Sequence, residues 1–179
     1  MTIASILIIV SIATLAFLFY VARGRHSLIK NVHDLRGQTR PVDIESFRNL
    51  IDPSEEDFLR SNLTANDFRT VQRERLRAAL EYVYCASHNA SVLVRLGEAA
   101  RTNPDPKVAI AAEQLVQRAI RLRLYALVTI PKLYVAIALP STHLSPSRMV
   151  ESYQQLSGLA GQLALMQNPT RVPRLSVVL

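Results

Sequence analysis

The hydrophobic positions of this chain follow two different patterns. Residues 3–22 form a continuous apolar run with no charged residue and no proline. From residue 64 to residue 167, apolar residues instead recur at intervals of three and four, which is the period of an amphipathic helix. The chain has only 5 glycines and 9 prolines, and the prolines fall mostly between the periodic segments. The sequence therefore predicts an all-α protein built from long helices.

The apolar run at residues 3–22 has the length of a membrane span. Twenty helical residues rise about 30 Å, which matches the hydrocarbon core of a bilayer. Phe17, Phe19 and Tyr20 lie near its end, and Arg23 and Arg25 follow. We predict an uncleaved single-pass anchor over residues 1–22. A signal peptide would need a basic start and a small-residue cleavage site, and a buried soluble helix fits twenty uncharged residues poorly.

The charges beside this run predict its orientation. Basic residues follow the run and none precedes it, so the positive-inside rule places the later domain in the cytoplasm and the N-terminus outside. We expect the protein in the plasma or inner membrane. Ala4, Ser11 and Thr14 are candidates for a contact face with another membrane helix, although small residues are common in spans generally.

Residues 23–51 show no strong period and are interrupted by Gly24, Gly37 and Pro41. We interpret this stretch as a basic juxtamembrane linker. Two interpretations of its charge remain open: attraction to anionic lipid, or a solvated connector with ordinary positive-inside charge.

Residues 52–167 are predicted to form one helical domain, and two capping signals for helix N-termini lie at its beginning. Asp52 precedes Pro53, and Glu55 would complete a capping box, so a short helix is expected from residue 52 to about residue 60. Thr64 is the next cap, and Asp67 adds negative charge to the first turn.

A long amphipathic helix is predicted from residue 64 to residue 101. Its apolar stripe has the intervals of four and three that place residues on one helix face. The stripe comprises Leu76, Leu80, Val83, Ala86, Ala90, Leu93, Gly97 and Ala100. Two prolines within residues 102–106 end this helix.

A third helix is predicted over residues 106–139 and is apolar around most of its circumference. One stripe runs from Ala112 to Ile137, and a second face carries Val116, Ile120, Leu124 and Leu127. Such a helix needs neighbours on several sides, so we expect it at the centre of the bundle. Pro131 should bend it.

Residues 124–139 of this helix resemble a short membrane span. A span needs about 20 residues, and a lysine such as Lys132 near the bilayer centre costs roughly 3 kcal/mol. We therefore expect a buried core helix, with an interfacial segment or a surface covered by a partner subunit as alternatives.

The last helix is predicted over residues 145–167, after the Ser145-Pro146 start. Ser157, Gly161 and Ala164 share a face on which small residues favour close helix packing. The tail at residues 168–179 should be extended.

Motifs typical of phosphate-binding, metal-binding or catalytic sites are absent from the sequence. The five glycines are scattered rather than gathered in a phosphate loop, no Glu-x-x-His pair occurs, and no catalytic constellation is recognisable. Cys85 and His88 lie three residues apart, which is half a metal site without a second half. Cys85 is the only cysteine, so no intrachain disulfide can form. We therefore predict neither an enzyme nor a cofactor.

The net charge of +7 permits an anionic partner. Arg69, Arg73 and Arg77 form a basic face with a spacing of four, which is either solvated or used for binding. Aromatic residues, at 6%, are too few for base stacking, and no nucleic-acid partner is expected.

Two hypotheses for function follow. The first is a non-catalytic accessory subunit of a larger membrane complex, with other membrane subunits as partners. The second is a free-standing tethered adaptor that binds an acidic protein or anionic lipid through its arginines.

Overall fold

The structure is a computed structural model that describes residues 38–139 and 147–167. These residues form five helices and no strand: α1 (Ile44–Leu50), α2 (Pro53–Asn62), α3 (Ala65–Ala100), α4 (Pro106–Ala138) and α5 (Ser147–Gln167). The predicted all-α class is confirmed for this part of the chain. The predicted anchor, its candidate contact residues Ala4, Ser11 and Thr14, and the predicted extended tail lie outside the described residues.

Within residues 38–139 and 147–167, none of the helices has both the length and the apolar character needed to cross a membrane.

Polar side chains cap the first turns of α2 and α3, the two helices predicted to start after Asp52 and Thr64. The carboxylate of Asp52 accepts a hydrogen bond from the Ser54 N–H at 3.0 Å, and Pro53 is the first residue of α2. The hydroxyl of Thr64 accepts from the Asp67 N–H at 3.3 Å at the start of α3. These bonds satisfy amide groups that have no partner inside a helix, so both starts lie where the sequence predicts them.

Arg75 joins three helices and replaces the predicted capping box. Its Nη2 donates to the carbonyl oxygens of Asn49 and Leu50 at the end of α1, at 3.1 and 3.3 Å, and to the Glu55 carboxylate at 2.9 Å. The Asp52 N–H donates to the Asn49 carbonyl oxygen at 3.3 Å. Glu55 therefore pairs with α3 rather than completing the cap of its own helix.

The core is an antiparallel hairpin of α3 and α4. All eight residues of the predicted α3 stripe are buried. On α4, Ile130 and Ile137 are partly buried against the core, and the other residues of the first predicted stripe are fully buried. Tyr84 lies opposite Tyr134, with 3.1 Å between the hydroxyl oxygens, so the middle of α3 lies beside the second half of α4. The chain continues as a helix through Pro131.

Gly97 marks a close approach of these two helices. A Cβ added there would lie 2.6 Å from the Val116 side chain and 3.0 Å from the Ala112 carbonyl oxygen. Only glycine fits without a shift of α4, because one of the two contacts is with backbone.

The linker predicted over residues 23–51 contains a helix in its described part. Asp43 caps α1 by accepting from the N–H groups of Glu45 and Ser46 at 3.0 and 3.1 Å. The Phe47 side chain is 1% exposed and stacks on Tyr82 of α3, with 5.3 Å between ring centroids. The packed helical unit therefore begins before residue 52. A seven-residue helix held by one buried aromatic ring has too few residues to show a period.

We predict that Gly97→Ala lowers the free energy of unfolding of the full chain by about 1–3 kcal/mol, the usual range for overpacking. Gly158→Ala is the matched control on α5, because nothing lies within 4 Å of an added Cβ there. It should raise stability by about 0.5–1 kcal/mol, as alanine is the better helix former. Thermal unfolding followed by circular dichroism measures both. Equal changes in the two variants would contradict the close approach.

Candidate functional site

One side of α4 is covered by no other described helix. α3 covers one side of α4 and α5 covers part of another. The side that remains carries Leu124, Val128, Val135 and Leu139, whose side chains are 57%, 55%, 54% and 59% exposed. Together with the exposed Tyr125 and Lys132 we call these residues the outer face of α4.

α4 therefore has α3 and α5 as neighbours on two sides, but the described helices do not cover all of its predicted apolar surface. Of its second predicted apolar face, Val116 is buried and Leu127 is half-buried, but Ile120 and Leu124 are exposed. A contiguous apolar surface of this kind on a monomer is typical of an interaction site.

The charged residues of α4 that follow Glu113 are all basic. No Asp or Glu occurs from residue 114 to residue 150. Arg118 donates to the Gln155 side chain on α5, and Arg123 is half-buried, so that burial lowers the pKa of its guanidinium group. Arg121 and Lys132 are exposed. The outer face thus combines aliphatic side chains with the positive charge of Lys132 and of neighbouring arginines.

The predicted basic face on α3 is present, although one neighbouring arginine is not available to it. Arg69, Arg73 and Arg77 are all exposed, and Arg77 pairs with Glu74. Among the described residues, neither Arg69 nor Arg73 makes an ion pair. Arg75, which lies between Arg73 and Arg77 in sequence, instead binds the end of α1 and Glu55 of α2.

The predicted close-packing residues of α5 lie at the edge of its buried face. Ala164 is buried, whereas Ser157 and Gly161 are half-buried. Large side chains, among them Tyr153, Leu156 and Leu163, fill the centre of the contact.

A buried polar cluster ties the chain before α1 to the bundle. Asn89 of α3 is completely buried. Its Oδ1 accepts from the Arg40 N–H at 2.8 Å, and its Nδ2 donates to the Arg40 carbonyl oxygen and to the Tyr153 hydroxyl, both at 2.7 Å. One amide side chain therefore joins the incoming chain, α3 and α5. The sequence analysis missed this residue, and the signal was its position three residues after Ala86, on the buried stripe.

Cys85 and His88 both have contacts within the fold. Nε2 of His88 lies 2.8 Å from the Gln38 carbonyl oxygen and must donate to it, because a carbonyl oxygen only accepts. Cys85 is half-buried and packs against the core. The described residues contain no group of three or more His, Cys, Asp or Glu side chains that could hold a metal ion.

Comparison with known proteins gives no relative: no family model, curated protein or solved structure matches this chain. The function therefore has to be argued from the surfaces described above.

We predict that Asn89→Ala lowers the free energy of unfolding by about 2 kcal/mol or more, because it leaves both backbone groups of Arg40 without their partner. Asn62→Ala is the control: Asn62 is exposed and only donates to the Phe58 carbonyl oxygen in its own helix. Its change should stay within about 0.5 kcal/mol. Hydrogen exchange adds a local readout, since the Arg40 amide should lose protection only in Asn89→Ala. Unchanged protection there would contradict the role of Asn89.

The buried hydroxyl of Tyr153 predicts a pH dependence. Burial raises the pKa of Tyr153 to about 12, from an ordinary value of 10.0. Between these values the unfolded chain loses the proton first, so stability is full below about pH 10 and falls as the pH rises towards 12. Two pKa units correspond to at most about 3 kcal/mol.

Unfolding of the wild-type chain and of Tyr153→Phe, measured from pH 9 to about pH 12, isolates this effect from other titrating groups. Removal of the hydroxyl should lower stability at pH 9 but flatten the fall above pH 10. Parallel profiles for the two proteins would show that the Tyr153 proton is not linked to folding.

Proposed function

We propose that this chain is a non-catalytic, single-pass accessory subunit of a larger membrane protein complex. Its helical domain would brace the complex from the cytoplasmic side. The observation that carries the proposal is the outer face of α4, where four aliphatic side chains are each more than half exposed. Burial of apolar surface is favourable by about 25 cal/mol per Å², so a partner that covers this face gains stability.

The membrane part of the proposal is supported by the sequence. Residues 3–22 are uncharged and long enough to span a bilayer, and basic residues follow them. Tethering would also raise the concentration of the outer face near other membrane subunits, which makes even a narrow contact effective.

The non-catalytic part is supported by the use of the buried polar side chains. Asn89 donates to the Tyr153 hydroxyl and also binds the backbone of Arg40. Arg75 holds the ends of α1 and α2. These groups stabilise the fold through partners within it, which is the usual role of hydrogen-bonded polar groups in a core.

The adaptor function remains the second candidate because the exposed Arg69 and Arg73 lack ion pairs among the described residues. It is the weaker of the two, since Arg77 is paired with Glu74 and Arg75 is used inside the fold. An exposed ion pair between an arginine and a partner carboxylate contributes little binding free energy unless several such charges act together.

We predict that the full chain co-migrates with larger proteins after mild-detergent extraction of native membranes, and that Val135→Asp releases it. The aspartate replaces an aliphatic side chain by a carboxylate that loses its water when the apolar contact forms. Ile110→Asp is the matched control, because Ile110 is 61% exposed on the first half of the same helix, and it should remain bound.

Charge reversal at Arg69, Arg73 and Arg77 should leave the complex intact. Release by this reversal but not by Val135→Asp would favour the adaptor, and migration of the wild-type chain alone would contradict the subunit proposal.

A further inference from the structure

The outer face of α4 has the spacing of a helix-pairing seam. Tyr125, Val128, Lys132, Val135 and Leu139 follow one another at intervals of three, four, three and four. This alternation places residues along the line where one helix packs its side chains between those of another. All five residues are exposed, and we call them the α4 seam.

The α4 seam covers two heptads. Fourteen residue steps at 1.5 Å each give about 21 Å, which is enough for one helix to lie along it. Leu124, 57% exposed, lies beside the seam and widens its apolar surface. The opposite side of α4 is packed against α3, where Ala126 and Leu133 are buried.

We propose that the α4 seam binds an apolar α-helix of the partner subunit, and that this helix carries a carboxylate opposite Lys132. The inference rests on the proposed function, because it names the chemistry of the surface that the accessory subunit contacts.

Lys132 requires the carboxylate. It lies between Val128 and Val135 on the line of the seam, so a helix packed there would cover it. A covered ammonium group is costly without a partner, and a single lysine at such a position fixes pairing at some cost in stability. No Asp or Glu occurs from residue 114 to residue 150, so α4 cannot supply the partner itself.

A second copy of the chain fits the seam poorly for the same reason. In whatever register two seams were paired, Lys132 would meet an aliphatic residue, Tyr125 or another lysine, and never a carboxylate. The segments outside the described ranges contain one acidic side chain, Asp34, which is followed by Arg36 and Gly37 and does not lie in an apolar run. Residues 1–33, 140–146 and 168–179 contain no Asp or Glu.

An anionic lipid surface would suit a different arrangement of residues. Helices that lie in a lipid interface carry their charges on the polar side, away from the apolar side chains. Lys132 lies instead in the middle of the apolar line, where lipid would force it to bend towards the headgroups. Pairing with an acidic helix accommodates it without such a bend.

The test measures the affinity of the full chain for its complex, in detergent-extracted native membranes, with Lys132→Met and Lys132→Arg. Methionine keeps the length and apolar stem of the side chain but leaves the partner carboxylate unpaired. It should weaken binding about 30-fold or more, the loss for truncating one member of a covered charge pair. Arginine should retain most of the affinity, and Lys107→Met, an exposed lysine in the first turn of α4, should have no effect.

The outcomes separate this inference from the proposed function. Binding that is unchanged or tighter in Lys132→Met, with release by Val135→Asp, would overturn the acidic helix and keep the accessory subunit. Release by neither variant would overturn both.

Two further arms use the purified full chain. A dimer that Val135→Asp dissociates would identify a second copy as the occupant. Protection of residues 125–139 from hydrogen exchange in anionic but not neutral vesicles would identify lipid. Either result would overturn the inference.

Discussion

The close packing of α3 on α4 determines the rest of the structure. Small side chains allow it: Gly97 leaves no room for a Cβ beside Val116, and several alanines along the contact are fully buried, among them Ala79, Ala86, Ala90, Ala112 and Ala119. Two helices that approach so closely bury one side each. α5 then covers part of another side of α4, and the outer face is left exposed although four of its residues are aliphatic like those of the core.

The exposed surface connects the fold with the proposed role. A helix with an apolar circumference gains most when it is covered on every side, and here an outside partner would complete the packing. Asn89 has a second role in the fold. By binding both backbone groups of Arg40, it fixes where the chain from the predicted anchor joins the helices. A domain attached at a defined point can present its outer face in a constant orientation.

Local signals in the sequence were sufficient for most helix boundaries. Asp52-Pro53, Thr64 and the prolines within residues 102–106 act through neighbouring backbone groups, so they predict helix ends without knowledge of the fold. Tertiary contacts were harder to predict. Arg75 had the pattern of a surface charge but binds the end of α1, and Phe47 stabilises α1 only because Tyr82 lies opposite. The apolar outer face was expected to be covered, since periodicity does not say how many neighbours a helix has.

The central claim is that another protein covers the outer face of α4. A photo-reactive amino acid at residue 128, on the seam, and at residue 110, exposed on the same helix, tests it in native membranes. The account predicts one discrete protein adduct from residue 128 and none from residue 110. Adducts from residue 128 only with lipid or with a second copy of the chain, or no adduct at all, would contradict it.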